Sequence, residues 1–485
     1  MTLSTKNTVV MAHRKMVTLS VLLSAAVFSC GPVQFPDDRD QVFSIAVEAS
    51  LNDDSLTALE AANKYLQGAT RDDPRYDRAL RLMALSGESL GLSYAASLWY
   101  LDIAQSRRDV ELAAEAVRGL ERISQTYPYD EQTILGGFLA TAEITGLPSS
   151  QQAFIDYLQG MYSMRANLNE WADGRFAAIV DQDPYKSRAR YAQAVRLIAA
   201  QSLDQAVAEL EALLDFELPE DLKNEVYRTL ARIAFEERDY RAALTYYDVI
   251  RQTAPDDPQL LLEMAWSHYY LGESRRALGL LVALDAPAYE ELIAPERFLL
   301  EALALRRLCQ FEPARSAAVR LSVRHGDAIA DLRNGVPVKE SEALRNAARF
   351  RVGSRSTAEF RQRLVFEMTL LDDLEDDIGS GLHENLRAMY ELGLKEASRR
   401  ENEVLGKETV ALAQELLSAE EGVRLILHEI GVALLRARSR PDAVEEKDPI
   451  DVSLREGHVF YTFEGEFWTD ELDDIVVTIE DRCID

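Results

Sequence analysis

The chain has 485 residues, more than one hydrophobic core usually holds, so several domains or a solenoid are expected. Hydrophobic residues make up 47% and charged residues 28%, which excludes a mainly disordered chain. The formal net charge of −29 argues against binding to nucleic acid or to an anionic lipid surface, because both need a basic face. A soluble body with a basic or neutral partner is therefore expected.

The amino terminus differs in character from the rest of the chain. A basic stretch at 13–15 precedes an apolar run at 17–28, and Ser29 and Cys30 follow. This order predicts a secretory signal over residues 1–29. The residues that end at Cys30 resemble the processing site of bacterial lipoproteins. That resemblance implies a lipid on Cys30 and a place in the bacterial envelope, at the outer membrane facing the periplasm; an ordinary signal peptide with an incidental cysteine is the alternative.

Residues 30–41 are polar and contain proline, which predicts a tether between the lipid and the fold. Two further cysteines, Cys309 and Cys483, would then lie in a compartment where a disulfide can persist. The sequence does not pair them. Packing of Cys309 at a helix end, with Cys483 near a frayed terminus, is the other interpretation.

Helical patterning begins near Val42, and residues 224–292 contain two copies of one pattern about 34 residues apart. The shared positions hold Tyr227, Leu230, Ala231 and Ala243 in the first copy and Leu261, Met264, Ala265 and Ala277 in the second. Small residues at these positions let two helices approach, and large ones fill the flanking space. The pattern resembles the tetratricopeptide repeat (TPR), which implies an all-α, TPR-like helix-hairpin solenoid over residues 42–326. Weaker copies carry the alanine pairs Ala84 and Ala96, Ala194 and Ala206, and Ala302 and Ala314.

The same resemblance implies that the first helix of each pair lines a concave groove that binds proteins. Transferred one by one, the groove positions are Tyr191, Val195, Ile198, Arg228, Arg232, Phe235, Glu236, Leu262, Trp266, Tyr269, Tyr270, Leu303, Arg306 and Arg307. Aromatic and arginine side chains dominate interface energetics, so eight of these are predicted to contact a partner. They are Arg228, Arg232, Phe235, Trp266, Tyr269, Tyr270, Arg306 and Arg307. Packing of the same side chains on neighbouring helices is the alternative.

Residues 327–439 are predicted to form a long-helix domain that caps the last face of the solenoid, with helices at 357–376, 382–417 and 419–438. Residues 440–485 read as a charged linker and a terminal β-hairpin, with strands at 458–468 and 474–483. The stretch 463–483 also resembles the closing block of repeat-containing envelope proteins from gliding bacteria.

A search for catalytic motifs returns little. His428 and Glu429 begin like a zinc-protease helix, but Val432 stands where the second histidine would be. An acidic stretch at 373–384 has Ile378 where a calcium loop needs glycine. We therefore expect no enzyme, metal or cofactor, and predict a scaffold in an envelope assembly, with motility or secretion machinery favoured. An outer-membrane protein assembly factor is the alternative, as is an envelope hydrolase or a binder of cell-wall glycan.

Overall fold

The computed structural model describes residues 35–126, 128, 144–286, 289, 294–438 and 476–483. The signal segment, Cys30 and the first predicted strand, 458–468, lie outside these residues. Nearly all of the described chain is helical. The first five helices, α1 to α5, span Arg39–Leu51, Ser55–Gln67, Tyr76–Ser89, Ser93–Ser106 and Val110–Thr126. Helical order therefore begins three residues before the predicted start at Val42.

The remaining helices of the array also pack as antiparallel neighbours in chain order. Helices α6 to α10 span Ser149–Arg165, Asn169–Ala178, Pro184–Ala199, Leu203–Leu213 and Glu220–Glu236. Helices α11 to α15 span Tyr240–Arg251, Pro258–Tyr270, Ser274–Ala283, Glu296–Arg307 and Phe311–Arg324. The predicted all-α, TPR-like helix-hairpin solenoid is confirmed.

Seven helix pairs are closed by the same turn, from α1–α2 to α14–α15. In each turn one residue takes a left-handed backbone conformation; these residues are Asp53, Gly91, Asn167, Gln201, Arg238, Gly272 and Cys309. The next residue donates its N–H to the carbonyl five positions back, as Asp239 does to Ala234 at 2.8 Å. This arrangement is a Schellman turn, which satisfies the free carbonyls at a helix end. The repeat therefore extends well beyond the two copies that are clear in the sequence.

The predicted small residues lie where paired helices touch. All of the paired alanines are fully buried; they are Ala84, Ala96, Ala194, Ala206, Ala231, Ala243, Ala265, Ala277, Ala302 and Ala314. The larger side chains of the pattern, such as Leu230, Tyr247 and Met264, fill the space beside them. Close approach at alanine with bulky flanks is the packing that the repeat pattern predicts.

After the array come two short helices and one long hairpin. Helices α16 to α19 span Gly326–Arg333, Glu342–Ala348, Val352–Asp373 and Ser380–Arg438. The predicted break between residues 417 and 419 is wrong, because Ser418 lies inside α19. At 59 residues, α19 is about 90 Å long.

Helix α19 does more than cover the last repeat. Its first half packs with α18 against α4, where Tyr390 joins the same apolar core as Tyr94. Its second half packs on α14, α15, α16 and α17, where Leu412 and Ile426 join a second core. The helix thus connects the beginning and the end of the array.

The C-terminal tail, residues 476–483, crosses the last two repeats as an extended segment. The described residues 476–483 hold no β-strand, so the second strand predicted at 474–483 does not form over them, while the first, at 458–468, remains untested. Arg275 Nε donates to the Ile479 carbonyl at 2.9 Å, and Arg482 N donates to the Leu308 carbonyl at 3.0 Å. A disulfide between Cys309 and Cys483 closes the tail onto the α14–α15 turn. The structure thus settles the pairing that the sequence left open.

Candidate protein-binding groove

Five aromatic side chains form a continuous row across α10, α11 and α12, which we call the aromatic ladder: Phe235, Tyr240, Trp266, Tyr269 and Tyr270. The Tyr240 and Tyr270 rings stack with centroids 5.0 Å apart, and the Trp266 and Tyr270 rings stack at 5.8 Å. Phe235 meets Tyr270 edge to face at 5.6 Å. Tyr270 remains 48% exposed. The rings therefore hold one another in place while part of the row faces solvent.

Arginine side chains beside the ladder pair with acids about one repeat further along the chain. Arg228 holds Asp257 and is only 12% exposed, and Arg232 bonds Glu263 at 2.6 Å. These ion pairs connect successive first helices of the array. Two of the predicted partner contacts are therefore occupied within the molecule.

The other two predicted arginines also have contacts inside the protein. Arg306 bonds Glu429 of α19 at 2.8 Å. Arg307 donates to the Tyr269 carbonyl at 2.7 Å, and its guanidinium lies 5.5 Å from the centre of the Tyr269 ring. These arginines position the ladder and the long helix.

The structure thus brings together the four predicted aromatic residues and turns the four predicted arginines toward internal partners. Leu262, one of the transferred groove positions, is 2% exposed and belongs to the core. Sequence reasoning missed Tyr240, which follows the left-handed residue Arg238 at the start of α11. The aromatic character of Tyr240 directly after a repeat turn was the available signal.

A cavity of about 610 Å³ adjoins the ladder at Trp266. It lies between α12, the start of α14, the α17–α18 corner and the middle of α19. Its lining includes Trp266, Glu296, Phe350, Arg351, Glu408 and Glu415. Trp266 is the one ladder residue that also lines this cavity.

The cavity carries more negative than positive charge. Arg351 is engaged by two carboxylates, Glu408 at 2.7 Å and Glu415 at 2.8 and 2.9 Å. These bonds raise the pKa of the Arg351 guanidinium, with Glu415 as the largest cause, so it stays charged.

Glu296 lines the cavity from the start of α14. The residue is exposed, yet the surrounding protein atoms remove enough water to raise the pKa of its carboxyl. The nearby charges of Glu415 and Glu263 raise that pKa further, while the neighbouring Trp266 indole opposes the shift. None of the described groups that shift this pKa is a cation, so nothing among them offsets the cost of burying the charged Glu296 carboxylate.

No described group of three or more His, Cys, Asp and Glu side chains is arranged to hold a metal ion. His428 is exposed on α19. Within the described part of the chain, no helix combines the length and apolarity that a membrane span requires.

Comparison with known proteins finds no matching family model and no matching curated protein. Among solved structures, a tetratricopeptide repeat protein from Parabacteroides merdae aligns with 59% of this chain and 93% of its own, at 11% identity and a TM-score of 0.26. Yeast Tom70 aligns with 84% of this chain and 91% of its own, at 15% identity and a TM-score of 0.22. The TPR domain of P58(IPK) aligns with 83% of this chain and all of its own, at 12% identity and a TM-score of 0.19. With TM-scores this low, the repeated turns and buried alanines, not these neighbours, carry the description of the fold.

Proposed function

We propose that this chain is a non-enzymatic scaffold that binds a segment of a partner protein along the aromatic ladder, as part of an assembly in a bacterial envelope. The ladder is the observation that carries the proposal. A solenoid offers a long concave surface whose rigid backbone is already ordered before binding. A segment that docks there therefore meets a surface that need not rearrange.

The residue types of the ladder suit protein recognition. Tyrosine and tryptophan provide large contact areas with few rotatable bonds, so little entropy is lost when they are covered. The stacking of Tyr240, Tyr270 and Trp266 reduces that loss further, because each ring is already restrained by its neighbours. Arg307 fixes Tyr269 from the other side. The exposed faces of these rings are thus pre-arranged for an apolar or helical segment.

Two features favour an exported protein. The predicted signal at 1–29 would direct the chain across the inner membrane, and Cys30 would receive the lipid. The pairing of Cys309 with Cys483 agrees with this location, since disulfides persist in oxidising compartments such as the periplasm. We propose attachment to the outer membrane, facing the periplasm.

A motility or secretion machine is the setting that we favour. This preference rests on the resemblance of residues 463–483 to the closing block of envelope proteins from gliding bacteria. Assembly of outer-membrane proteins is the alternative setting for the same groove.

The ladder is tested by crosslinking in cells. A photoreactive phenylalanine analogue at position 270 should crosslink to a partner protein, and the pair Tyr240→Ala and Tyr270→Ala should remove the partner from pull-downs without unfolding the chain. Trp171→Ala is the matched control, because Trp171 is an exposed aromatic residue outside the ladder. Equal recovery with the ladder variant and the control would contradict the proposal.

The anchor is tested by fractionation of cells that express the full chain. Cys30→Ala should move the protein from the membrane to the soluble fraction, because no lipid can then be attached. Ser29→Ala, which keeps a small residue beside the cysteine, should sediment like the wild type. A Cys30→Ala protein that still sediments fully with membranes would refute lipid attachment.

A further inference from the structure

We infer that the cavity at Trp266 receives a cationic side chain, arginine or lysine, from the partner segment that lies along the ladder. The inference rests on the proposed function, because the ladder would bring that segment to the mouth of the cavity. It adds a chemical requirement: the partner carries a basic residue at the point where its chain passes Trp266.

The position of the cavity is the first argument. Trp266 stacks on Tyr270 within the ladder and also forms a wall of the cavity. A segment in contact with Tyr270 can therefore extend a side chain past the indole without leaving the groove. The volume of about 610 Å³ exceeds that of any one side chain and leaves room for bridging water.

Charge complementarity is the second argument. Three carboxylates, on Glu296, Glu408 and Glu415, face a cavity in which Arg351 is the one cation among the described lining residues. Arg351 already bonds both Glu408 and Glu415. Glu296 therefore remains without a cationic partner among the lining residues. A ligand cation would supply that partner, whereas an anionic side chain would face three like charges.

The pairing of an aromatic face with a carboxylate is the third argument. A guanidinium or ammonium group is attracted to the face of an indole ring and gains more when water is excluded. Trp266 and Glu296 both line the cavity, and they lie close enough for the indole to oppose the rise in the pKa of the Glu296 carboxyl. A cation placed there would contact both groups at once.

Binding should also depend on pH. Burial and neighbouring carboxylates raise the pKa of Glu296, so part of its population is protonated at a higher pH than usual for glutamate. A ligand cation prefers the ionised form. Affinity should therefore fall as the pH is lowered through the raised pKa of Glu296, and this step should disappear when the carboxyl is replaced.

The test uses the purified full chain and a short, blocked, fluorescein-labelled peptide rich in arginine. The same peptide with citrulline, which is nearly isosteric and neutral, is the matched probe. Fluorescence anisotropy should give at least about tenfold weaker binding for the citrulline peptide. Glu296→Gln and Trp266→Leu should each weaken binding of the arginine peptide about fivefold or more, and Glu296→Gln should remove the pH step.

Glu384→Gln controls for the general attraction of a basic peptide to an acidic protein, because Glu384 is exposed near the start of α19 and far from the cavity. It should bind like the wild type. Equal affinity for both peptides, or undiminished binding to Glu296→Gln and Trp266→Leu, would overturn the inference.

The outcome separates this inference from the proposed function. If partner recovery depends on Tyr240 and Tyr270 but the Glu296 and Trp266 variants bind the peptide normally, the cationic side chain in the cavity is refuted and binding along the ladder is retained. If peptide binding requires Glu296 but partner recovery does not change in the ladder variant, binding along the ladder is refuted and cation binding in the cavity is retained.

Discussion

The regular middle of the array and the long C-terminal hairpin are both helical, yet they are held together in different ways. In the middle, from α8 to α13, each helix packs on its sequence neighbours, and ion pairs such as Arg232 with Glu263 join residues about one repeat apart. In the hairpin, α18 and α19 contact helices that are far away in sequence. The first region is built from local contacts and the second from long-range ones.

Two buried contacts show how far the hairpin reaches. Glu367 of α18 accepts from the backbone N–H of Tyr94 at 3.0 Å and from the Tyr390 hydroxyl at 2.5 Å. Helix α4 has no side-chain cap of its own, so this carboxylate satisfies a free N–H in its first turn. Glu60 of α2 accepts in turn from the Gly379 N–H, just before α19. The hairpin and the first repeats thus each satisfy a backbone N–H at a helix start of the other.

This comparison predicts that substitutions at hairpin contacts destabilise the protein more than substitutions at the ion pairs of the middle repeats. The largest effect is expected for Glu367→Ala. Glu367 is fully buried, so its loss removes the acceptor that bonds the Tyr94 N–H and the Tyr390 hydroxyl, together with the ion pair to Arg363. We expect a loss of about 3 kcal/mol in the free energy of unfolding, measured by urea denaturation.

Glu359→Ala is the matched control for that measurement. Glu359 is exposed on the same helix, so its removal should change the unfolding free energy by less than about 0.5 kcal/mol. Equal small effects for the two variants would mean that the α18 contact with α4 contributes little.

A smaller effect is expected at the contact of α19 with α4. A Cβ at Gly393 would lie 2.6 Å from atoms of the buried Tyr94 ring, whereas Gly406 on the same helix has nothing within 4 Å. Gly393→Ala should therefore destabilise by about 1–3 kcal/mol through overpacking. Gly406→Ala should stabilise by about 0.5–1 kcal/mol, because alanine loses less backbone entropy in a helix.

Opposite signs at the two glycines, measured by thermal unfolding, would establish that α19 packs closely on the early repeats. If both variants were stabilised, the helix would not lie against Tyr94 as the structure has it.

The same contrast explains which features the sequence revealed. The 34-residue period and the paired alanines identify the array because each repeat meets only its neighbours, so that its packing is visible in local spacing. The continuity of α19 was not visible in this way. Packing on α14 accompanies this continuity: four residues after the predicted break, Gly422 gives room to Leu299, whose side chain would lie 2.7 Å from a Cβ there. Tertiary packing decided the local structure.

The candidate site also combines features set by the local repeat spacing with features set by long-range packing. Four of the five ladder residues were predictable from groove positions because the repeat fixes where each lies; Tyr240, at the start of the second helix of its pair, was not. The internal partners of Arg228 and Arg232 were also within reach, since Asp257 and Glu263 follow them by roughly one repeat. The cavity at Trp266 was out of reach, because three of its walls come from α14, the α17–α18 corner and α19.

The smallest effect is expected at Arg232 in the middle of the array. Its side chain is 52% exposed, so the ion pair with Glu263 gains little once solvent screening and side-chain entropy are included. Arg232→Ala should change the unfolding free energy by less than about 0.5 kcal/mol, and a double-mutant cycle with Glu263→Gln should give a coupling below about 1 kcal/mol. Arg228→Ala is the informative comparison, because Arg228 is mostly buried against Asp257, the residue that caps α12. A larger loss of unfolding free energy at Arg228 than at Arg232 would mean that the middle repeats depend on packing and capping. The exposed Arg232 could then be substituted to test partner binding without disturbing the fold.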